Sequence, residues 1–189
     1  MKKFLFVFVT LFFSMSLYAQ EHLEFRGIPI DGNLTNFVSK MKSIGYTVID
    51  EEGNLVLMKG KFTNRDATLL VCSSVKTHTV WKVCVVFEEA RSWSSLKSDY
   101  LEYKELFTKK YGKSSDSYEF FSSPYYEGDG YELQALRNEK CHYITIFENN
   151  VGYVGVQMKT SERLGIDYED KMNSKISSKE QDSSALDEI

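Results

Sequence analysis

The chain has 189 residues, 42% of them hydrophobic, with 27 acids against 23 bases and a formal net charge of −4. That balance has the wrong sign for a phosphate backbone, so nucleic acid is not an expected partner. The length suits one ordinary domain, or two small halves sharing a core.

Met1-Lys2-Lys3 is a short basic start, and FLFVFVTLFF then runs apolar from Phe4 to Phe13. SMSLYA follows and ends on small Ala19. This is the pattern of a secretory signal peptide over residues 1–19, with cleavage expected after Ala19. The apolar run is about half the ~20 residues that a spanning helix needs. No Cys lies near the cleavage site, so the usual lipid anchor of bacterial lipoproteins is not expected. No later apolar run is long enough to span a bilayer, so no integral membrane segment is expected after cleavage. The expected location is secreted or periplasmic. Losing Lys2 and Lys3 makes the remaining chain more acidic still.

A domain is expected over residues 20–160, built from two units at about 25–90 and 91–160. The first opens with FRGIPIDGN, in which Pro29 and the Asp31-Gly32 pair force a turn. Asn33 is a good N-cap, because its side-chain oxygen can accept an orphan helix N–H. Leu34, Phe37, Val38, Met41 and Ile44 then fall on one helical stripe, and Gly45 ends it. Strands are expected at Tyr46–Ile49, Leu55–Phe62, Ala67–Val75 and Val80–Phe87. The short polar turns between them favour antiparallel pairing. In the second unit Ser92 caps a helix striped by Trp93, Leu96, Tyr100, Tyr103 and Phe107. It stops at Gly112. Strands are expected near Tyr118–Phe121, Tyr131–Arg137, Cys141–Phe147 and Tyr153–Met158. The fold class is therefore α+β: two tandem helix-plus-antiparallel-meander units, with the helices packed on one face of the sheet. Whether the two meanders join into one sheet is not readable.

Beyond residue 160 a short helix fits Ser161–Tyr168. From Lys171 on, KMNSKISSKEQDSSALDEI is polar and aromatic-free. Such a segment buries too little apolar area to offset chain entropy, so residues 161–189 read as a short helix and then a disordered tail. Residues from about Lys175 onward are expected to be dispensable for folding, so that a chain ending at Asn173 melts like the full one.

GIPIDGNLTNFVSKMKSIGY followed by a meander, then SWSSLKSDYLEYKELFTKKYG and a second meander, resembles small secreted bacterial proteins with helix-then-sheet repeats. They are similar in element order to β-lactamase-inhibitor proteins and to small outer-membrane-assembly lipoproteins. The resemblance covers about residues 25–160. It implies a module that acts by binding another protein. The lipoprotein group begins its mature chain with a lipidated Cys, which this chain lacks.

Catalytic patterns are sparse. His22, His78 and His142 stand in no HExxH or comparable ligand spacing, so no metal is expected. There is no G-x-S-x-G elbow and no glycine-rich phosphate loop, so neither a nucleophile nor a cofactor is expected. Glu51/Glu52 and Glu88/Glu89 are neighbours on strands, and neighbours on a strand point to opposite faces.

One stretch looks like a site. SPYYEGDGYE, Ser123 to Glu132, crowds three acids, two glycines and three tyrosines into ten residues. It lacks the length and ligand pattern of an EF-type calcium loop. The expectation is a connection into a strand at Tyr131. Tyr125, Tyr126, Asp129 and Tyr131 are the candidate partner-binding residues, because tyrosines rimmed by acids suit a recognition surface.

The three cysteines are Cys72, Cys84 and Cys141. Leu69, Val71, Val75, Trp81, Val83, Val85 and Phe87 are apolar and odd-numbered, so they share one face of the hairpin around His78. A three-residue loop Thr77–Thr79 would set Cys72 directly opposite Cys84 on the other face, within disulfide range. The sequence leaves open whether they bond. Cys141 is then left over.

The expected function is a non-catalytic binding or interaction module, its partner another envelope or extracellular protein. The alternatives are an enzyme whose site is built by convergent acids and histidines, and a purely structural envelope component.

Overall fold

The computed structural model describes residues 22–187. The expected signal peptide, residues 1–19, lies outside them. The elements in chain order are β1 (Glu24–Phe25), β2 (Ile28–Pro29), α1 (Leu34–Ser43), β3 (Thr47–Glu52), β4 (Leu55–Phe62), β5 (Arg65–Ser73), β6 (Val80–Glu89), α2 (Trp93–Tyr111), β7 (Asp116–Phe121), α3 (Glu132–Arg137), β8 (Cys141–Glu148), β9 (Gly152–Lys159), β10 (Arg163–Asp170) and α4 (Lys171–Asp187). β1 and β2 pair as a small hairpin. The other eight strands form one sheet in the order β3-β4-β5-β6-β10-β9-β8-β7, antiparallel at every pairing.

The helix boundaries follow local chemistry. Asn33 caps α1 by accepting the Thr35 N–H at 3.0 Å, and Gly45 leaves the helix at φ 99°. Ser92 and Ser95 cap α2 reciprocally: each side chain accepts the other's backbone N–H. α1 buries Leu34, Phe37, Val38 and Met41; α2 buries Leu96, Tyr100, Tyr103 and Phe107.

α2 lies against one face of the sheet. Tyr100 meets Tyr143 edge-on at 5.4 Å and shares a 2.6 Å hydrogen bond with Thr145. Tyr103 meets Phe87 at 5.0 Å, and Phe107 meets Phe147 and Tyr168 at 6.1 Å each. From the β1–β2 hairpin Phe25 enters the same core, stacked on Phe62 at 5.7 Å and edge-on to Tyr168 at 5.1 Å. These rings carry the core, since truncating a packed aromatic costs ~3–5 kcal/mol.

Several expectations change here. Residues 163–170 are a central strand: β10 pairs β6 on one side (Ile166↔Val85, Tyr168↔Val83) and β9 on the other (Ile166↔Val156, Tyr168↔Val154). It joins the two meanders into one sheet. Glu132–Arg137 is a helix, because the segment buries the neighbours Ala135 and Leu136, where a strand would turn them to opposite faces.

Lys171–Asp187 is a helix, and its docking stripe is polar. Asn173 and Ser177 are buried. The Asn173 side chain donates to the Ile30 and Val80 carbonyls at 3.0 and 3.1 Å. Two turns on, the Glu180 carboxylate accepts the Lys76 and Thr77 amides at 2.6 and 3.2 Å and the Thr77 hydroxyl at 2.6 Å. A chain ending at Asn173 should therefore melt below the full chain. A loss near 2 kcal/mol corresponds to about 4–8 °C at this size. Equal melting temperatures would show that the helix contributes nothing.

The Glu180 latch also titrates. Desolvation opposes its charge, but the Thr77 hydroxyl and the two amides outweigh it and hold the carboxyl down at about 2. Its contribution is thus complete above the ordinary ~4.3 and is lost as pH falls from there toward 2. Hydrogen exchange at the Lys76 and Thr77 amides should accelerate relative to other loop amides across that window. Unchanged relative protection would contradict the latch.

Candidate functional site

The loop singled out from the sequence is ordered by its own acids. Asp129 accepts the Tyr126 amide at 3.0 Å and the Tyr131 amide at 2.7 Å, and Glu132 accepts the Gly128 amide at 2.9 Å. Glu127 turns inward to Lys97 and to the Tyr143 hydroxyl at 3.3 Å. The Lys97 ammonium holds the Glu127 carboxyl below its usual range. Burial, and then the Glu127 charge, push the Tyr143 phenol up. All three acids of the loop are thus engaged within the fold.

The two neighbouring tyrosines part company. Tyr125 is half-buried against the core, with its hydroxyl accepting from Asn138 at 3.0 Å. Tyr126 is 65% exposed and Tyr131 60%. The loop leads into α3, not into a strand. The four candidate residues therefore divide: Tyr126 and Tyr131 face solvent, Asp129 shapes the loop, and Tyr125 packs. Tyr125→Ala should cost about 1–3 kcal/mol and Tyr126→Ala less than about 0.5. Denaturant midpoints check both, and equal losses would contradict this division.

The hairpin register also differs from expectation. Cys72 lies opposite Lys82, and Cys84 opposite Leu70. The expected three-residue loop is replaced by residues 74–79, with a shift in register between Cys72 and Ser73. The slip is by two residues, so the face assignment survives along the paired strands, but at the register shift Trp81 is unpaired and half-buried and Val80 takes the buried place opposite Ser73. Leu69, Val71, Val83, Val85 and Phe87 are buried together, whereas Val75 falls outside the strand and is 39% exposed. Cys72 and Cys84 share the opposite face as diagonal neighbours and are free thiols. Each lies within hydrogen-bond reach of the other. That contact, then burial and the Asp167 charge, push the Cys84 thiol far up. Cys141 is separate, and burial followed by Glu127 and Glu132 pushes its thiol up to about 12. The contact with Cys84, and then the Lys82 charge, instead hold the Cys72 thiol below its ordinary value against the cost of burial.

Around the thiol pair lies a polar network that sequence reasoning missed. It occupies the middle of the sheet face opposite α2. Across β6, β10 and β9 the registers place Cys84, Asp167 and Gly155 in one row, and Lys82, Glu169 and Tyr153 in the next. Asp167 is buried and accepts from Gln157 at 2.5 Å and from Lys159 at 2.9 and 3.1 Å. Glu169 accepts from Tyr153 and from Lys82, the latter at 3.4 Å. Every acid here has a cation and a neutral donor, so the network is closed on itself. Gly165 makes room for it: a Cβ there would sit 2.2 Å from the Lys159 side chain. The signal was the alternation in LGIDYED, where Asp167 and Glu169 interleave with buried Leu164, Ile166 and Tyr168.

Toward β7 and β8 the same face turns apolar and aromatic. Tyr118 and Phe120 are 49% and 46% exposed, and Phe120 packs on His142 at 4.9 Å. Ile144 and Ile146 lie beside them, half-buried. Toward β4 and β5, Leu55, Leu57 and Leu70 lie on this face too. Among the described residues no group of three or more His, Cys, Asp or Glu side chains comes together as metal ligands. No helix among them is long and apolar enough to cross a membrane. A scan of protein-family models, a search of curated proteins and a search of solved structures each found no match.

Proposed function

We propose that the chain is a secreted or periplasmic binding module that docks another protein on the sheet face opposite α2. The observation that carries this reading is the exposed aromatic and aliphatic ground on that face. Tyr118 and Phe120 stand beside Ile144 and Ile146, next to a centre of charges already paired within the fold. Exposed aromatic side chains are enriched at protein interfaces, and here they lie to one side of the paired charges. Charges of both signs fit a folded protein surface better than a phosphate polymer or an anionic lipid surface, and the acidic chain agrees. The basic, apolar and small-residue start of residues 1–19 supports the location.

The module is read as a duplicated helix-plus-meander unit with both helices on the same side. The element order supports it: a helix and four strands precede a second helix and four strands, the latter with α3 inserted between β7 and β8, and the sheet order is mirrored about the β6–β10 pair. Burying both helices on one side leaves the other side of the sheet available.

The test is paired substitution. Tyr118→Asp and Phe120→Asp should abolish co-purification of a single stoichiometric partner from the native envelope. Leu101→Asp and Leu106→Asp, at exposed positions of α2, should not. Loss from the α2 pair alone, or from neither, would overturn the reading.

A further inference from the structure

At one corner of the molecule the short β3 strand leaves β4 uncovered, and a cleft of about 770 Å³ opens there. Its walls carry four cations, Arg26, Lys59, Lys61 and Arg163, against two acids, Asp66 and Glu88. Lys61 pairs with Asp66 at 3.1 Å. Lys59 and Arg163 have no ion-pair partner among the described residues. The local excess is therefore positive on a chain whose net charge is −4. Unpaired cations in a concave, partly walled space focus potential and attract counter-charge. The volume lies within the range of small-ligand sites.

Arg26 adds a second, independent observation. It occupies the first position of the two-residue turn between β1 and β2, at φ 52°, with Gly27 at φ 78°. Both central residues of such a turn need positive φ, which Asn, Asp and Gly adopt readily and Arg adopts only at a cost. The Arg26 guanidinium is then held over the Tyr46 ring, with Nη1 donating to the Lys61 carbonyl at 3.0 Å and the Tyr46 hydroxyl at 3.4 Å. Its partners are neutral, so its charge stays uncompensated at the cleft wall. Strained residues that present a fixed side chain to a cavity are a mark of ligand sites.

We propose that this cleft binds a small organic anion carrying at least two acidic groups, phosphate or carboxylate. One group sits among Arg26, Lys59 and Lys61, and the other reaches Arg163. β4 and β10 are three strands apart, about 14 Å at the usual spacing, so the long side chains close in on the ligand from opposite sides. Lys59 and Lys61 share a sheet face with Leu57, but the proposal rests on the cleft's cations and not on the protein-docking reading.

The experiment is calorimetric titration of the purified protein with citrate and, separately, with inorganic pyrophosphate, against sodium chloride at matched ionic strength. At least one probe should bind saturably, and the stronger of the two identifies the acidic group as carboxylate or phosphate. Lys59→Gln with Arg163→Gln should weaken that binding at least tenfold. Arg26→Asn, which suits the turn, should weaken it several-fold without lowering the melting temperature of the unliganded protein. Lys59→Gln alone, at an exposed position, serves where the double variant folds poorly. Absence of saturable binding tighter than about 1 mM by either probe, or equal binding by wild type and variants, would overturn the proposal.

Discussion

Asp170→Ala should destabilise the protein by about 3–5 kcal/mol and lower its melting temperature by roughly 10 °C. Asp170 is fully buried at the junction of β10 and α4. One carboxylate oxygen caps α4 by accepting the Met172 and Asn173 amides at 3.1 and 2.9 Å. The other accepts the Leu23 amide at 2.8 Å and His22 Nδ1 at 3.2 Å. A lost N-cap costs ~1 kcal/mol, and each buried N–H left without an acceptor costs ~1–3 kcal/mol more. The same residue thus ties the incoming chain, the central strand and the last helix together. Asp170→Asn keeps one acceptor oxygen and should fall between wild type and Ala. An Ala variant within about 1 kcal/mol of wild type would show that water replaces these bonds.

Gly60→Val should be comparably severe. The Tyr46 ring lies on the β4 backbone at Gly60, where a Cβ would approach the ring carbons Cδ1, Cε1 and Cγ at 2.3, 2.7 and 2.9 Å. All three contacts are with the body of a ring that is 2% exposed and fixed by its hydroxyl donating to the Lys61 carbonyl at 2.9 Å. The ring must leave, and losing a packed aromatic costs ~3–5 kcal/mol. A double-mutant cycle isolates the clash. In a Tyr46→Ala background, Gly60→Ala should be nearly neutral, whereas in wild type it should cost at least 2 kcal/mol more. Additive effects would mean that Tyr46 and Gly60 do not meet.

What was legible in the sequence was whatever local chemistry decides. Asn33 and Ser92 cap the helices they were expected to cap, and the apolar stripes of α1 and α2 are the buried ones. The meander strands β4 to β6 and β8 to β9 appear where apolar runs alternate with polar turns. What was not legible depends on distant partners. β10 carries Asp167 and Glu169, which belong at the centre of a sheet only because β6 and β9 supply Lys82, Gln157 and Lys159. α4 docks by burying Asn173 and Ser177 and through hydrogen bonds of Asn173 and Glu180 to Ile30, Asp31, Val80, Lys76 and Thr77. A helix that binds by hydrogen bonds shows no apolar stripe. The Cys72–Cys84 pairing slipped because the shift between Cys72 and Ser73 is set by the turn and by the Asn33↔Thr79 bridge to another element. In the candidate site, Tyr126 is exposed as the loop chemistry suggests, but Tyr125 beside it packs half-buried, Tyr131 opens a helix instead of a strand, and the aromatic ground on β7 and β8 was not legible. Its orientation follows from which face α2 covers.

The claim that one sheet face receives a partner is tested most directly by a photo-crosslinking map in the native envelope. A photoreactive side chain is placed in turn at Tyr118, Ile144 and Leu57 on the face opposite α2, and at Leu101 and Leu106 on α2. The account predicts one and the same protein adduct from all three sheet positions and none from the helix positions. Adducts of equal yield from both sets, or from the helix positions alone, would contradict it.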